Sequence, residues 1–126
     1  GQSSITMTLS VRPLVSLRTM SKIYVIDIDG TIFNTDGMDY ENSTPKQERI
    51  NYINSLYDNG NKIIYLTARG MGRNGNSYEL AEKQFYKLTE LQLKKYGCKY
   101  HELHLSKPAG DYYIDDKAVK DSDFFE

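Results

Sequence analysis

Two kinds of run alternate along this chain. Ile23-Tyr24-Val25-Ile26 and Lys62-Ile63-Ile64-Tyr65-Leu66 are short, nearly continuous in apolar character and rich in β-branched and aromatic residues, the composition of strands buried in a parallel sheet. Tyr100 to Leu105 is a shorter strand candidate, and Tyr112-Tyr113-Ile114 reads as a third strong strand. Between these runs the apolar positions recur at helical spacing. Ile50, Ile53, Leu56 and Tyr57 form one stripe, and Leu80, Phe85, Leu88, Leu91 and Tyr96 form another. Thr44 as N-cap, Pro45 at the first helical position and Gln47 as the far half of a capping box predict where the first helix starts. Asn59-Gly60 stops it. Asn76 or Ser77 caps the second helix and Gly97 ends it. Residues 32–43 follow neither period and carry Gly, Asn and Asp, which predicts an irregular loop or a small hairpin. The alternation as a whole predicts an α/β fold, a three-layer Rossmann-like sandwich around a mostly parallel central sheet.

Composition narrows the function classes more than it changes the fold. A chain of 126 residues, 39% hydrophobic and 26% charged, suits one globular domain with one core. With 16 basic and 17 acidic side chains the net charge is -1, so there is no general attraction for nucleic acid or an anionic membrane, and an anionic ligand must be held locally. No apolar run is long enough to span a bilayer. Cys98 is the sole cysteine, which excludes an internal disulfide and a cysteine-built zinc site and fits a reducing compartment. Residues 1–22 stand apart: they are rich in Ser and Thr, contain Arg12, Arg18 and Lys22, and have no acid. They read as a transit-like or vector-derived arm, with Met7 or Met20 as a natural start, ahead of a domain at 23–126. The expected location is the cytoplasm, or an organelle matrix if that arm is a genuine transit segment.

The chemistry gathers behind the strands. Asp27-Ile28-Asp29-Gly30-Thr31 follows the first strand directly, although two acids one residue apart are poor strand formers. A cation and a phosphoryl group would offset that cost, because carboxylates ligate Mg²⁺ through oxygen and also attack phosphorus. The second strand ends on Thr67-Ala68-Arg69-Gly70, an isolated Lys107 follows the Tyr100–Leu105 run, and Tyr112-Tyr113-Ile114 ends in Asp115-Asp116. Open parallel sheets place their ligand crevice at the carboxyl ends of the strands, so these clusters should converge. Taken singly, each has an ordinary role. Thr67 could cap a turn, Lys107 could lie at the surface, and Arg69 could either grip a substrate phosphate or pair with a structural acid. His101 and His104 point to opposite faces of a strand and do not suggest a metal site.

In this order the four elements resemble the haloacid dehalogenase-like superfamily of phosphohydrolases over residues 23–119. The resemblance implies a nucleophilic Asp27 that forms an aspartyl-phosphate, and a general acid and base at Asp29. It implies phosphate binding by Thr67, Ala68, Lys107 and Arg69. It also implies Mg²⁺ held by Asp27, by the backbone carbonyl of Asp29 and by the acidic pair, with Asp116 in the direct ligand slot and Asp115 behind it.

Cap domains in this superfamily are inserted after the first motif or between the second and third, and neither segment here has room for one. A capless cleft either admits a bulky substrate or is closed by another subunit, which leaves a homo-oligomer open. The Thr-Ala-Arg element and the Tyr-Ile-Asp-Asp-Lys-Ala ending are similar to small phosphatases of capsule or surface-polysaccharide biosynthesis, which implies a sugar phosphate or another small phosphorylated metabolite. A polynucleotide 3'-phosphatase is the alternative enzyme, and the near-zero charge withholds support from it. A phosphoacceptor signalling domain would place its acidic pair before the phosphorylated Asp. A silent binding module would require a motif defect that the sequence does not show.

Overall fold

The structure, a computed structural model, describes residues 21–126. Residues 1–20 of the predicted arm lie outside the described residues. Lys22 already belongs to the domain, since its carbonyl accepts the Lys62 N–H at 2.9 Å and its own N–H donates to Asn61 Oδ1.

The described chain is an α/β unit. Strand β1 (Ile23–Ile26) is followed by a two-residue pair, β2 (Phe33–Asn34) and β3 (Thr44–Pro45), which run antiparallel and make the small hairpin that the 32–43 composition allows. Helix α1 (Gln47–Asp58), strand β4 (Lys62–Leu66), helix α2 (Tyr78–Lys95), strand β5 (Glu102–His104) and a short helix α3 (Asp121–Phe124) complete it. The main sheet is parallel throughout, in the order β1-β4-β5.

Register decides which side chains make the core. Ile26 pairs with Tyr65 and Tyr65 with Leu103, so their side chains share a face, and all three are buried. Ile50 and Ile53 from α1 and Leu93 from α2 join that same cluster. Each buried isoleucine or leucine contributes about 1.5–3 kcal/mol. Both crossovers step in the same direction across the sheet, and right-handed connections therefore place both helices on one side. On the other side Ile23 and Val25 are exposed, at 65% and 59%. The described residues thus cover the sheet on one face, where the strand pattern predicts cover on both.

Three local expectations change. Thr44 and Pro45 pair with the hairpin strand, and α1 begins after them with Lys46 at the N-cap position. Lys46 N–H donates to Ile32 O at 2.7 Å, so pairing to the hairpin outcompetes the predicted cap. Helix α2 is capped by Ser77, whose side chain accepts from Leu80 N–H, and ends before Gly97. Its buried positions are Ala81, Thr89, Gln92 and Leu93, whereas Leu80 and Leu91 are exposed. The third change is the largest. Residues 111–120 are exposed without interruption and form no strand, with Tyr112 at 86% and Ile114 at 95%.

That segment is pinned at both ends. Tyr113 Oη donates to Pro108 O at 2.7 Å and accepts from Gly110 N–H, closing a turn immediately after Lys107. Beyond it, Arg49 pairs with Asp121 at 2.7 Å and holds that carboxyl below its usual range, while Phe124 packs against Tyr24 and Tyr52.

Candidate active site

Parallel pairing carries the chemistry past the strand ends. Asp27 follows β1 directly, and Ile28, fully buried, anchors the turn that comes next by accepting N–H groups from Thr31, Ile32 and Phe33. Gly30 completes that turn at φ 84°, in the left-handed region where a side chain is strained. Beyond β4, Thr67 N–H donates to His104 O, and Lys107 N–H donates to Thr67 O. The β4 and β5 ends are thereby held side by side, with Thr67 and Lys107 on top of them.

These residues line one cleft of about 380 Å³ at the carboxyl end of the sheet. Asp27, Asp29, Thr67, Ala68 and Lys107 all face it. Thr31 Oγ1 donates to Asp27 Oδ2 at 3.0 Å, and Lys107 Nζ lies 3.3 Å from Asp27 Oδ1. The Lys107 ammonium also sits 4.2 Å from the centre of the Tyr113 ring. Thr67 is buried, and its hydroxyl oxygen accepts the Arg69 N–H at 3.1 Å.

Arg69 also contributes to the cleft lining, but its guanidinium is committed elsewhere. Its side chain is fully buried. Nε and Nη2 donate to the two oxygens of Asp29 at 2.9 Å each, and Nη1 donates to Gln92 Oε1 at 2.6 Å and to Thr89 Oγ1 at 3.1 Å. The Tyr40 ring lies 4.8 Å from its central carbon. Of the two roles open to Arg69, gripping substrate phosphate or pairing with an acid, it performs the second. A fully buried guanidinium needs acceptors for its donors, and this need selects the buried face of α2: Thr89 and Gln92 turn inward while Leu80 and Leu91 turn out. Gly70 permits the approach, because a Cβ there would lie 2.7 Å from Phe85 and 3.1 Å from the Ala81 backbone.

Sequence reasoning missed several supporting residues. Thr35 Oγ1 donates to Asp29 Oδ1 at 2.6 Å and bonds Ser43 Oγ at 2.7 Å. Gln92 Nε2 donates to Tyr40 O, tying α2 to the hairpin beside the site. Only Thr31, inside the Asp-Gly-Thr element, carried a signal.

The acidic pair stands outside this constellation. Asp115 and Asp116 do not line the cleft, and both are exposed. Asp115 Oδ1 accepts the Lys117 N–H at 3.0 Å, and this bond, with one from Asp116, holds its carboxyl below the ordinary range. The tight turn after Lys107 leads into an exposed segment, and the pair is not part of the cleft that Asp27 lines. Among the described residues no three His, Cys, Asp or Glu side chains converge as a metal-binding group. Mg²⁺ usually takes one or two carboxylates and keeps several waters. Asp27 is one such carboxylate on the cleft wall. His101 and His104 are surface residues: His101 Nδ1 accepts the Ile63 N–H, and His104 pairs with Glu102.

No family model matches this chain, and no curated protein matches it. A crystallised target protein from Vibrio cholerae is similar to it at 28% identity. The likeness covers 82% of this chain and 87% of that one, with a TM-score of 0.76, so the α/β architecture is shared across most of both. No helix among the described residues is long and apolar enough to cross a membrane.

Proposed function

We propose that this chain is a Mg²⁺-dependent phosphomonoesterase of the haloacid dehalogenase-like type, without a cap domain, acting on a sugar phosphate or another small phosphorylated metabolite. One observation carries the reading: Asp27, Asp29, Thr67 and Lys107, drawn from three separate strand ends, line a single cleft. The capless form is supported by what fills the two insertion points, a two-stranded hairpin with a short turn and a single long helix.

The residues divide the work by position. An oxygen of Asp27 attacks phosphorus, the bond from phosphorus to the ester oxygen breaks, and Asp27 carries the phosphoryl group. Asp29 gives a proton to the departing oxygen and later takes one from the water that attacks phosphorus, which releases inorganic phosphate and restores Asp27. Arg69 and Thr35 fix the Asp29 carboxyl group for that exchange: Oδ1 accepts two bonds, whereas Oδ2 accepts one and keeps a position for the proton that Asp29 would carry at the start of the cycle and regain from water. Lys107 and the Thr67 hydroxyl would stabilise the charge on the phosphoryl oxygens. Asp27 and the Asp29 backbone carbonyl would hold Mg²⁺, which supplies charge neutralisation at the attacked phosphate.

The deciding experiment is hydrolysis of 4-nitrophenyl phosphate with and without Mg²⁺, alongside the Asp27→Asn protein. Turnover should depend on the metal and vanish in the variant, while Asp29→Asn should trap the phosphorylated aspartate. Wild-type rates in chelator or in Asp27→Asn would refute the mechanism.

A further inference from the structure

Three arginines lie among the described residues, and two of them are spent: Arg49 pairs with Asp121 and Arg69 with Asp29. Arg73 has no carboxylate partner within ion-pair distance among those residues, yet it lines the same cleft as Asp27 and Lys107. Its guanidinium rests on the Phe85 ring, 5.0 Å from the centre, and an Nη nitrogen lies 3.8 Å from Met38 Sδ. The ring and the Met38 sulfur hold the guanidinium in place, while no carboxylate among the described residues takes its N–H groups, which suits a fork that recognises carboxylate or phosphate.

The backbone beneath it is also held. Arg73 sits in a single 3-10 turn, Gly72–Asn74, between Gly70 at φ 76° and Gly75 at φ 60°. Asn74 Nδ2 donates to Gly70 O at 2.7 Å and to Gln84 Oε1 at 3.0 Å, fastening the turn to α2. A preorganised cation loses less freedom on binding.

Charge bookkeeping then indicates a ligand. Lys107 already faces Asp27, where the reacting phosphate would sit, so Arg73 is a second positive group on the cleft wall with no carboxylate paired to it among the described residues. We infer that Arg73 is a specificity residue that binds a second anionic group of the substrate, a phosphate or carboxylate separate from the phosphoryl group transferred to Asp27. This inference rests on the phosphomonoesterase reading and narrows its substrate class to dianchored phosphoesters.

The test compares matched pairs: glycerol 3-phosphate with 3-phosphoglycerate, and fructose 6-phosphate with fructose 1,6-bisphosphate. The first pair adds a carboxylate and the second a phosphate. In the wild type the doubly anionic member should have a kcat/KM higher by about tenfold or more in at least one pair, the size of a charge-assisted bond. Arg73→Gln should bring that ratio close to one through KM, and Arg73→Lys should restore part of it. Dissociation constants of the same four ligands for the Asp27→Asn protein, with and without Arg73→Gln, give a readout independent of turnover. Equal losses in Arg73→Gln for both members of a pair, and for 4-nitrophenyl phosphate, would overturn the inference and give Arg73 to the transferred phosphoryl group. Turnover with no preference in the wild type would overturn it alone. If nothing is turned over, the phosphomonoesterase reading fails, and equal dissociation constants within each pair would then sink the Arg73 assignment separately.

Discussion

The Arg69 guanidinium meets the Asp29 carboxylate as a two-bond fork, Nε to Oδ2 and Nη2 to Oδ1, each at 2.9 Å, across 40 positions of sequence. The arginine side chain is wholly buried and the aspartate keeps 22% of its side-chain surface exposed, so the pair joins the interior to the cleft. Removing one partner leaves the other charge without compensation, which for buried pairs costs about 3–5 kcal/mol. Arg69→Ala should therefore lower stability by about that amount in urea unfolding. Arg69→Lys keeps the charge without the fork, and should lower kcat on 4-nitrophenyl phosphate while retaining the fold. A double-mutant cycle with Asp29→Asn separates positioning from packing, because a positioning role makes the two losses in kcat strongly non-additive.

Lys107 stands 3.3 Å from Asp27 Oδ1 and is about one-fifth exposed. Lys107→Ala should weaken inorganic phosphate, measured as a competitive inhibitor, by about tenfold or more, the loss expected for a charge-assisted hydrogen bond. Unchanged inhibition would return Lys107 to the role of an ordinary surface lysine.

Tyr65 is buried in the core, and its hydroxyl has no hydrogen-bond partner among the described residues. An unsatisfied buried hydroxyl costs about 1–3 kcal/mol of desolvation, so removing it should not harm the fold. Tyr65→Phe is expected to be neutral or to stabilise by about 1 kcal/mol in urea unfolding, whereas Tyr65→Ala should destabilise by several kcal/mol through the cavity it leaves.

Burial pushes the Cys98 thiol up to about 12. The folded state therefore retains the proton where the unfolded chain has released it, and the sign follows: above the ordinary thiol range the unfolded state binds fewer protons, so stability falls as pH rises toward 12. Below that range the contribution is fully present. Iodoacetamide labelling at pH 8 should be slow in the native protein and fast in urea, and Cys98→Ser should flatten the alkaline loss of stability.

Local composition captured the elements that depend on neighbours in sequence. The β-branched runs at 23–26 and 62–66 are strands, Ser77 caps α2, and Gly60 and Gly97 take positive φ beyond the two long helices. The convergence of Asp27, Asp29, Thr67 and Lys107 was legible because strand order in a parallel sheet brings carboxyl ends to one rim. Tyr112-Tyr113-Ile114 misled for the same reason that the other runs informed: its composition is that of a strand, but composition does not encode the Tyr113 to Pro108 bond that holds the segment on the surface. Leu80 and Leu91 misled because helical spacing identifies a stripe without knowing that a buried arginine will claim Thr89 and Gln92.

The sequence alone determined which residue types are available to the cleft and the α/β order that carries them there, because both follow from short-range periodicity and from chain order. Only the tertiary structure decided that Arg69 serves Asp29, that Arg73 is left without a carboxylate partner among the described residues, and that Asp115 and Asp116 stay outside the cleft. The first depends on a buried guanidinium finding its acceptors 40 positions away, and the last on the turn that Tyr113 closes onto Pro108, neither of which a local pattern records.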